Sequence, residues 1–190
     1  MNWTCWVTRQ GRSPSRHKPR CVESRAWCAV TEILHGFPPI VDERARVLIL
    51  GSFPSAASLA AAQYYAHRQN QFWRVLAAVL GMPLADLDYA QRQAALRDAG
   101  IAVWDVYGRC ERDGSLDSAI RNPETNDFSQ LRKLAPQLRR VCFNGQTAAR
   151  FVRMMSEFGY ETRIMPSTSP AYTLAFDKKL AAWREALEGA

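Results

Sequence analysis

Four short apolar runs, each stopped by glycine, proline or an amide, constrain what this chain can fold into more than any other feature. They are residues 46–51 (RVLILG), 101–107 (IAVWDVY), 140–143 (RVCF, closed by Asn144 and Gly145) and 162–165 (TRIM, closed by Pro166). Runs this short and this uniformly apolar are strands buried on both faces. Helical texture separates them. Residues 72–80 (FWRVLAAVL) stop at Gly81, and 84–99 carry Leu87, Ala90, Ala94 and Ala95 at helical spacing before Gly100. A short helix is expected over 129–134, a longer one over 146–158 that stops at Gly159, and a last one over 177–187 with Asp177 as its N-cap. Strands alternating with helices predict an α/β domain of three layers, α/β/α, around a central four-stranded parallel sheet.

The organised part of the chain begins near His35, with the extended lead-in GFPPI. Residues 1–30 show no sustained period, and the stretch GRSPSRHKPR is rich in charge and turn formers. That segment holds six basic residues and one acid, whereas residues 31–190 hold 19 basic and 17 acidic ones. Most of the formal +7 therefore sits in a basic tail expected to stay disordered, followed by one domain over 31–190. The charge is for that reason weak grounds for assigning nucleic-acid binding to the folded part. The tail has no apolar core of a secretory signal. Its Arg-rich, acid-poor make-up loosely resembles a transit peptide, and a plain extension or an early start codon accounts for it as well. Of five cysteines only Cys110 and Cys142 lie in the body, with no C-x-x-C and no zinc spacing, so free thiols in a reducing cytoplasm are expected. No apolar run reaches the roughly 18 residues of a membrane span, and no membrane association is expected.

In sheets of this kind ligands bind beyond the carboxyl ends of the strands. The four segments that follow the strands read GSFPS (51–55), YGRC (107–110), NGQTA (144–148) and PSTSPA (166–171), and the expected topology brings them to one rim. They contain neither of the glycine signatures that cradle nucleotide phosphates, nor a G-x-S-x-G nucleophile turn. His67 is the only histidine after the first strand, so Ser52, Ser55 and Ser169 have no evident triad partner. No ligand cluster supports a metal site, and no cofactor is expected. What remains is a pocket of backbone groups, carboxamides and rings. Residues 64–73 (YYAHRQNQFW) add two Tyr, a Phe and a Trp around His67 and Asn70. Ring faces stack flat bases and an amide hydrogen-bonds them, although Phe72 and Trp73 also read as core of the helix that follows.

GSFPSAASL, YYAHRQNQFW, WDVYGRCERDGSLDSAI, FNGQTA and PSTSPA, in that order and at the strand ends, resemble the uracil-DNA glycosylase superfamily, and within it the branch that acts on deoxyinosine. The resemblance runs from about Gly36 to Leu187 and leaves the tail out. It departs from the pattern at Arg68, where that branch often shows Pro. It implies a uracil-DNA glycosylase-like fold and hydrolysis of the N-glycosidic bond of a deaminated base, hypoxanthine first and uracil as the alternative. Double-stranded DNA is the implied partner, bound by a monomer. A base in a duplex must be extruded before it can be cut. Bond breaking then needs a positioned water and dipoles aimed at the departing base, with little covalent help.

The resemblance also assigns roles. Uracil-removing relatives carry Asp or Asn just before the proline of the first motif; here Phe53 stands in that place, and the catalytic amide falls to Asn70. Asn70 read by itself is equally a cap for the helix at Phe72. Asp105, at the end of the second strand, is the alternative water activator, or else a structural acid. Asn144 stands where the family reads the base: one carboxamide offers an acceptor and a donor to the lactam edge that hypoxanthine and uracil share. Read locally, Asn144 is the left-handed residue of an Asn-Gly turn. Phe53 or Phe72 would stack on the base, with Phe72 favoured. Ser55, Ser167, Thr168 and Ser169 offer hydroxyls and N–H groups to phosphates, and Tyr172 or Leu174 would fill the vacated stack. Asp117, Arg121, Asn126 and Asp127 match the family pattern without an assigned chemistry. A binding module that kept the pocket and lost catalysis is the reading from outside the enzymes.

Overall fold

The computed structural model describes residues 32–189; the basic tail expected over residues 1–30 lies outside the described residues. In chain order the elements are β1 (Ile33–His35), β2 (Val47–Gly51), α1 (Ala56–Ala61), α2 (Phe72–Leu80), α3 (Tyr89–Asp98), β3 (Ile101–Asp105), β4 (Tyr107–Glu111), β5 (Arg121–Thr125), α4 (Leu131–Leu134), β6 (Arg140–Asn144), α5 (Gln146–Ala149), α6 (Val152–Glu157), β7 (Glu161–Met165) and α7 (Phe176–Leu187). The four apolar runs form one parallel sheet in the order β3-β2-β6-β7.

Because side chains alternate across a strand, each run feeds two cores. Leu48, Leu50, Ala102, Trp104, Val141 and Phe143 face one side, where they meet Leu131 of α4, Ala148 of α5 and Met155 of α6. Val47, Ile49, Ile101, Val103, Cys142 and Met165 face the other, where they meet α2, α3 and α7 through Phe72, Leu76, Leu96 and Trp183. A strand with no polar side to show must be covered twice, and these helices make the three layers. Cys110 and Cys142 are buried and unpaired.

A second sheet was not evident in the sequence. It is antiparallel, in the order β1-β4-β5. The run at 101–107 is therefore not one strand. β3 ends at Asp105, Val106 donates its N–H to the Gly51 carbonyl and Tyr107 donates to that of Ser52, and the chain leaves for the small sheet. Three helix limits also differ from expectation. α3 starts at Tyr89 because Asp88 and Gln91 close a capping box there. The helix expected over 146–158 is interrupted at Phe151, whose N–H bonds Ala148 three residues back while its ring packs edge-on against Tyr107 and Phe128. Asp177 lies inside the first turn of α7, after Ala175 at the N-cap, where its charge still complements the helix dipole.

Parallel register sets the four carboxyl ends level. Gly51 pairs with Asp105, and Asn144 with Met165.

Candidate active site

These level ends floor a cavity of about 590 Å³, within the range of small-molecule sites. Its wall includes Gly51, Phe53, Ser55, Tyr65, Asn70, Asp105, Asn144, Ser167, Thr168, Ser169 and Tyr172. Three of the four expected rim segments, 51–55, 144–148 and 166–171, therefore contribute to one cavity, joined by the turn before α2. The fourth, 107–110, does not line it, because the chain has already left for the small sheet as β4 and only Asp105 at the tip of β3 reaches the cavity. Phe72 is a further exception: it is 0% exposed and does not line the cavity. Tyr65 lies over it, rings stacked at 3.7 Å, so Tyr65 offers the face that Phe72 was expected to offer.

Tyr64 and Tyr65 are both hard to explain as core from sequence. Tyr64 is nonetheless buried in it, while Tyr65, to which the sequence assigned no role, lines the cavity, and its backbone is strained. It has φ +55°, a left-handed conformation that a bulky side chain rarely takes. The turn is held in place on several sides: Trp73 Nε1 donates to the Tyr64 carbonyl at 3.1 Å, Tyr64 N–H to the Tyr89 hydroxyl at 2.9 Å, and Gln71 N–H to the Thr168 carbonyl at 3.0 Å. The result brings the Tyr65 hydroxyl against Asn144, whose Nδ2 donates to it at 3.2 Å.

Asn144 is fully braced. Nδ2 also donates to Thr168 Oγ1 at 3.0 Å, and Oδ1 accepts the Thr168 N–H at 2.9 Å. Both amide protons are used, while Oδ1 keeps a second lone pair. The left-handed residue of the turn is Gly145, at φ +98°, not Asn144. Thr168 corrects an expectation: it is 0% exposed, with its hydroxyl and N–H turned to Asn144 and its carbonyl to Gln71, so it is a brace and not a phosphate contact. The other hydroxyls are half-buried. Ser55 caps α1 by accepting the Ser58 N–H at 3.2 Å, and Ser167 accepts the Ser169 N–H at 3.1 Å. Tyr172 is 47% exposed at the rim and Leu174 is half-buried, which singles out Tyr172 as the projecting side chain.

Asn70 lines the cavity and also caps α2: Oδ1 accepts the Phe72 N–H at 2.9 Å, which fixes the orientation of its amide. Asp105 is 3% exposed, and no described side chain hydrogen-bonds its carboxyl; Oδ2 is enclosed without a partner. The missing side chain of Gly51 makes room for it, since a Cβ there would collide with Asp105 Oδ1 and lie 2.8 Å from the Tyr65 hydroxyl. Burial pushes the Asp105 carboxyl up to about 8, reinforced by Asp117 and opposed by Arg112. At neutral pH it is mostly the acid form and holds a proton, so it is a poor base for activating water.

The loop between β4 and β5 completes the wall; the sequence marked it by its resemblance, with Asp117 matching the family pattern, but assigned it no place in the site. Arg112, buried over the Phe53 ring at 5.1 Å, donates to the carbonyls of Pro54 and Gly114. Asp117 accepts from the Ser52 hydroxyl at 2.8 Å, and Ala56 N–H donates to Ser115 Oγ at 3.0 Å. Leu116, between them, is 59% exposed at the cavity rim. Among the described residues no group of His, Cys, Asp and Glu gathers with the make-up of a metal site, and no helix is long and apolar enough to cross a membrane.

A family model, the uracil DNA glycosylase superfamily, matches residues 38–189. The chain belongs to the uracil DNA glycosylase superfamily. Within it, the chain is 39% identical over 153 residues to a hypoxanthine DNA glycosylase of Methanosarcina barkeri, covering 80% of this chain and 97% of that one. It is 42% identical over 139 residues to a hypoxanthine DNA glycosylase of Methanosarcina acetivorans, covering 73% and 88%. A solution NMR structure from Methanosarcina acetivorans, solved as a candidate uracil DNA glycosylase, superposes with a TM-score of 0.76 at 38% identity, over 82% of this chain and 97% of that one. The superfamily's match begins after β1 and takes in the whole parallel sheet, β4 and β5 of the small sheet and every wall of the cavity.

Proposed function

We propose that this chain is a monofunctional DNA glycosylase that hydrolyses the N-glycosidic bond of deoxyinosine in double-stranded DNA, acting as a cytoplasmic monomer on a base flipped into the cavity. The observation that carries the reading is the pairing of Asn144 with Tyr65. The Tyr65 oxygen already accepts from Asn144, so its own proton is free to be donated; Asn144 Oδ1 keeps a free lone pair. An acceptor beside a donor complements the ring N–H beside a carbonyl of hypoxanthine. Adenine, with an unprotonated ring nitrogen beside an amine, would leave both groups unpaired in a buried site, and that mismatch discriminates more strongly than a missing contact. The hypoxanthine DNA glycosylases at about 40% identity support the same substrate.

Asn70 does the water's work. A carboxamide takes no proton, but its oxygen orients a water toward C1′ as positive charge builds on the sugar. Phe53 and the outer face of Tyr65 bound the base. Ser167 and Ser169 offer their hydroxyl protons to phosphate oxygens, as does Ser55 when Ser58 is the donor of the 3.0 Å bond between their hydroxyls. Tyr172 fills the vacated stack, with Leu116 also exposed on the cavity rim.

Duplex oligonucleotides carrying deoxyinosine, uracil or only normal bases test the proposal. Alkali-labile cleavage at deoxyinosine is expected. Cleavage at uracil alone would make the chain a uracil-preferring enzyme, and binding without abasic sites would make it a binding module.

A further inference from the structure

We propose that Asp105 is the acid of the reaction: it delivers its proton to N7 of the departing purine, a role that rests on the deoxyinosine reading above. Asp105 is the only buried carboxylic acid among the described residues, and it lines the cavity at the tip of β3. Everything around it holds it there and nothing ties up its carboxyl. Its backbone carbonyl accepts Asn126 Nδ2 at 2.8 Å, its strand is paired with β2 up to Gly51, and the space above Gly51 is kept open for Oδ1. A structural acid at this depth would be expected to have a cation or several N–H donors. The charged and titratable groups that face it are Tyr64 and Tyr65 from the turn before α2, and Arg112 and Asp117 from the loop between β4 and β5. Arg112 donates through Nε and Nη2 to the Gly114 and Pro54 carbonyls and leaves Nη1 enclosed without a partner, and Asp117 is engaged by Ser52, so neither hydrogen-bonds the carboxyl. Burial outweighs the attraction of the nearby Arg112 and keeps the proton on.

The chemistry needs that proton. A purine leaving through N9 takes the bonding pair with it, and the charge is relieved when N7, in the same ring, is protonated. As the C1′–N9 bond breaks, the Asp105 proton passes to N7 and hypoxanthine leaves neutral. Water held by Asn70 adds to C1′, and its surplus proton returns to the Asp105 carboxylate. One water is consumed, one base is released, and the acid is restored.

The test is the single-turnover cleavage rate of a deoxyinosine duplex from about pH 6 to about pH 10, for the wild type, Asp105→Asn and Asn70→Ala. The wild-type rate is expected to be level at low pH and to fall about tenfold per pH unit above about pH 8. Asp105→Asn should be slower by about 10²-fold or more at pH 7 and show no alkaline fall, while Asn70→Ala is slow and keeps the fall. A duplex with 7-deazadeoxyinosine, which has no N7 lone pair, should be cut by the wild type no faster than Asp105→Asn cuts deoxyinosine. The inference is overturned by a wild-type rate that stays level through pH 10, by an Asp105→Asn rate within about threefold of wild type at pH 7, or by wild-type cleavage of the 7-deaza duplex at the deoxyinosine rate. The wild-type profile decides even if the variant does not fold. A wild type that cuts no deoxyinosine at any pH fails the substrate reading instead.

Discussion

Asn70 Oδ1 accepts the Phe72 N–H at the head of α2, so replacing it alters a helix cap as well as the chemistry proposed for it. Asn70→Ala should cost about 1 kcal/mol of stability through the cap and slow cleavage by roughly 10²–10³-fold, while affinity for uncleaved duplex persists. Asn70→Asp keeps the cap, so its melting temperature should match wild type; thermal melts beside single-turnover rates separate the two effects. Asp105 carries the opposite balance. Its carboxyl holds a proton more tightly in the folded chain than in the unfolded one, so it favours folding below the ordinary carboxyl range, and that contribution is lost as pH rises through about 8. Asp105→Asn escapes the loss. Its melting temperature relative to wild type should therefore climb between about pH 4 and pH 8 and then level off, even as activity disappears; a gap that does not change with pH would mean the carboxyl is not neutral in the fold.

Lys179 shows how one element supports another. It is buried on α7, its Nζ donates to the Tyr172 carbonyl at 3.3 Å and lies 5.5 Å from the Tyr172 ring, and so it ties the rim loop to the helix beneath. Lys179→Met keeps the volume and removes the tie. It should leave the melting temperature near wild type or above, since a buried charge is exchanged for an apolar chain, while weakening affinity for a deoxyinosine duplex several-fold in a titration. The elements differ in how far the sequence discloses them. The four parallel strands are readable to within two residues. β2, β3 and the middle of β6 are covered on both faces and uniformly apolar, whereas β7, at the sheet edge, has Glu161, Arg163 and Ile164 exposed and is marked by Gly159 and Pro166 on either side. β5 is hidden: RNPET is exposed throughout and contains Pro123, which a sheet admits only at an edge. β4 is hidden inside the apolar run that also supplies β3. In the site, Asn70, Asp105 and Asn144 stand at strand ends or a helix start and could be located by pattern. That Phe72 faces inward, that Tyr65 takes its place through a left-handed backbone and that Thr168 is sealed beneath Asn144 are consequences of packing between distant segments, and no local pattern records them.

At the scale of the whole molecule, the basic excess sits in residues 1–30 and the folded body is close to neutral. Removing residues 1–29 should leave the cleavage rate of bound duplex unchanged and flatten the dependence of affinity on salt, since fewer phosphates are neutralised by the remaining chain; affinities measured across a salt series check this, and a lost soluble fold would show that the tail belongs to the domain. Recognition by the body then rests on shape more than on charge. The hydrogen bonds that join Asn144 to Tyr65 and Thr168 exist before any DNA arrives. The chain thus meets each nucleotide with its mould already set, and almost all the work of an encounter falls on the double helix, which must surrender one letter. Sites where that letter is weakly held, such as inosine facing a poor partner, should accordingly be the first to be emptied.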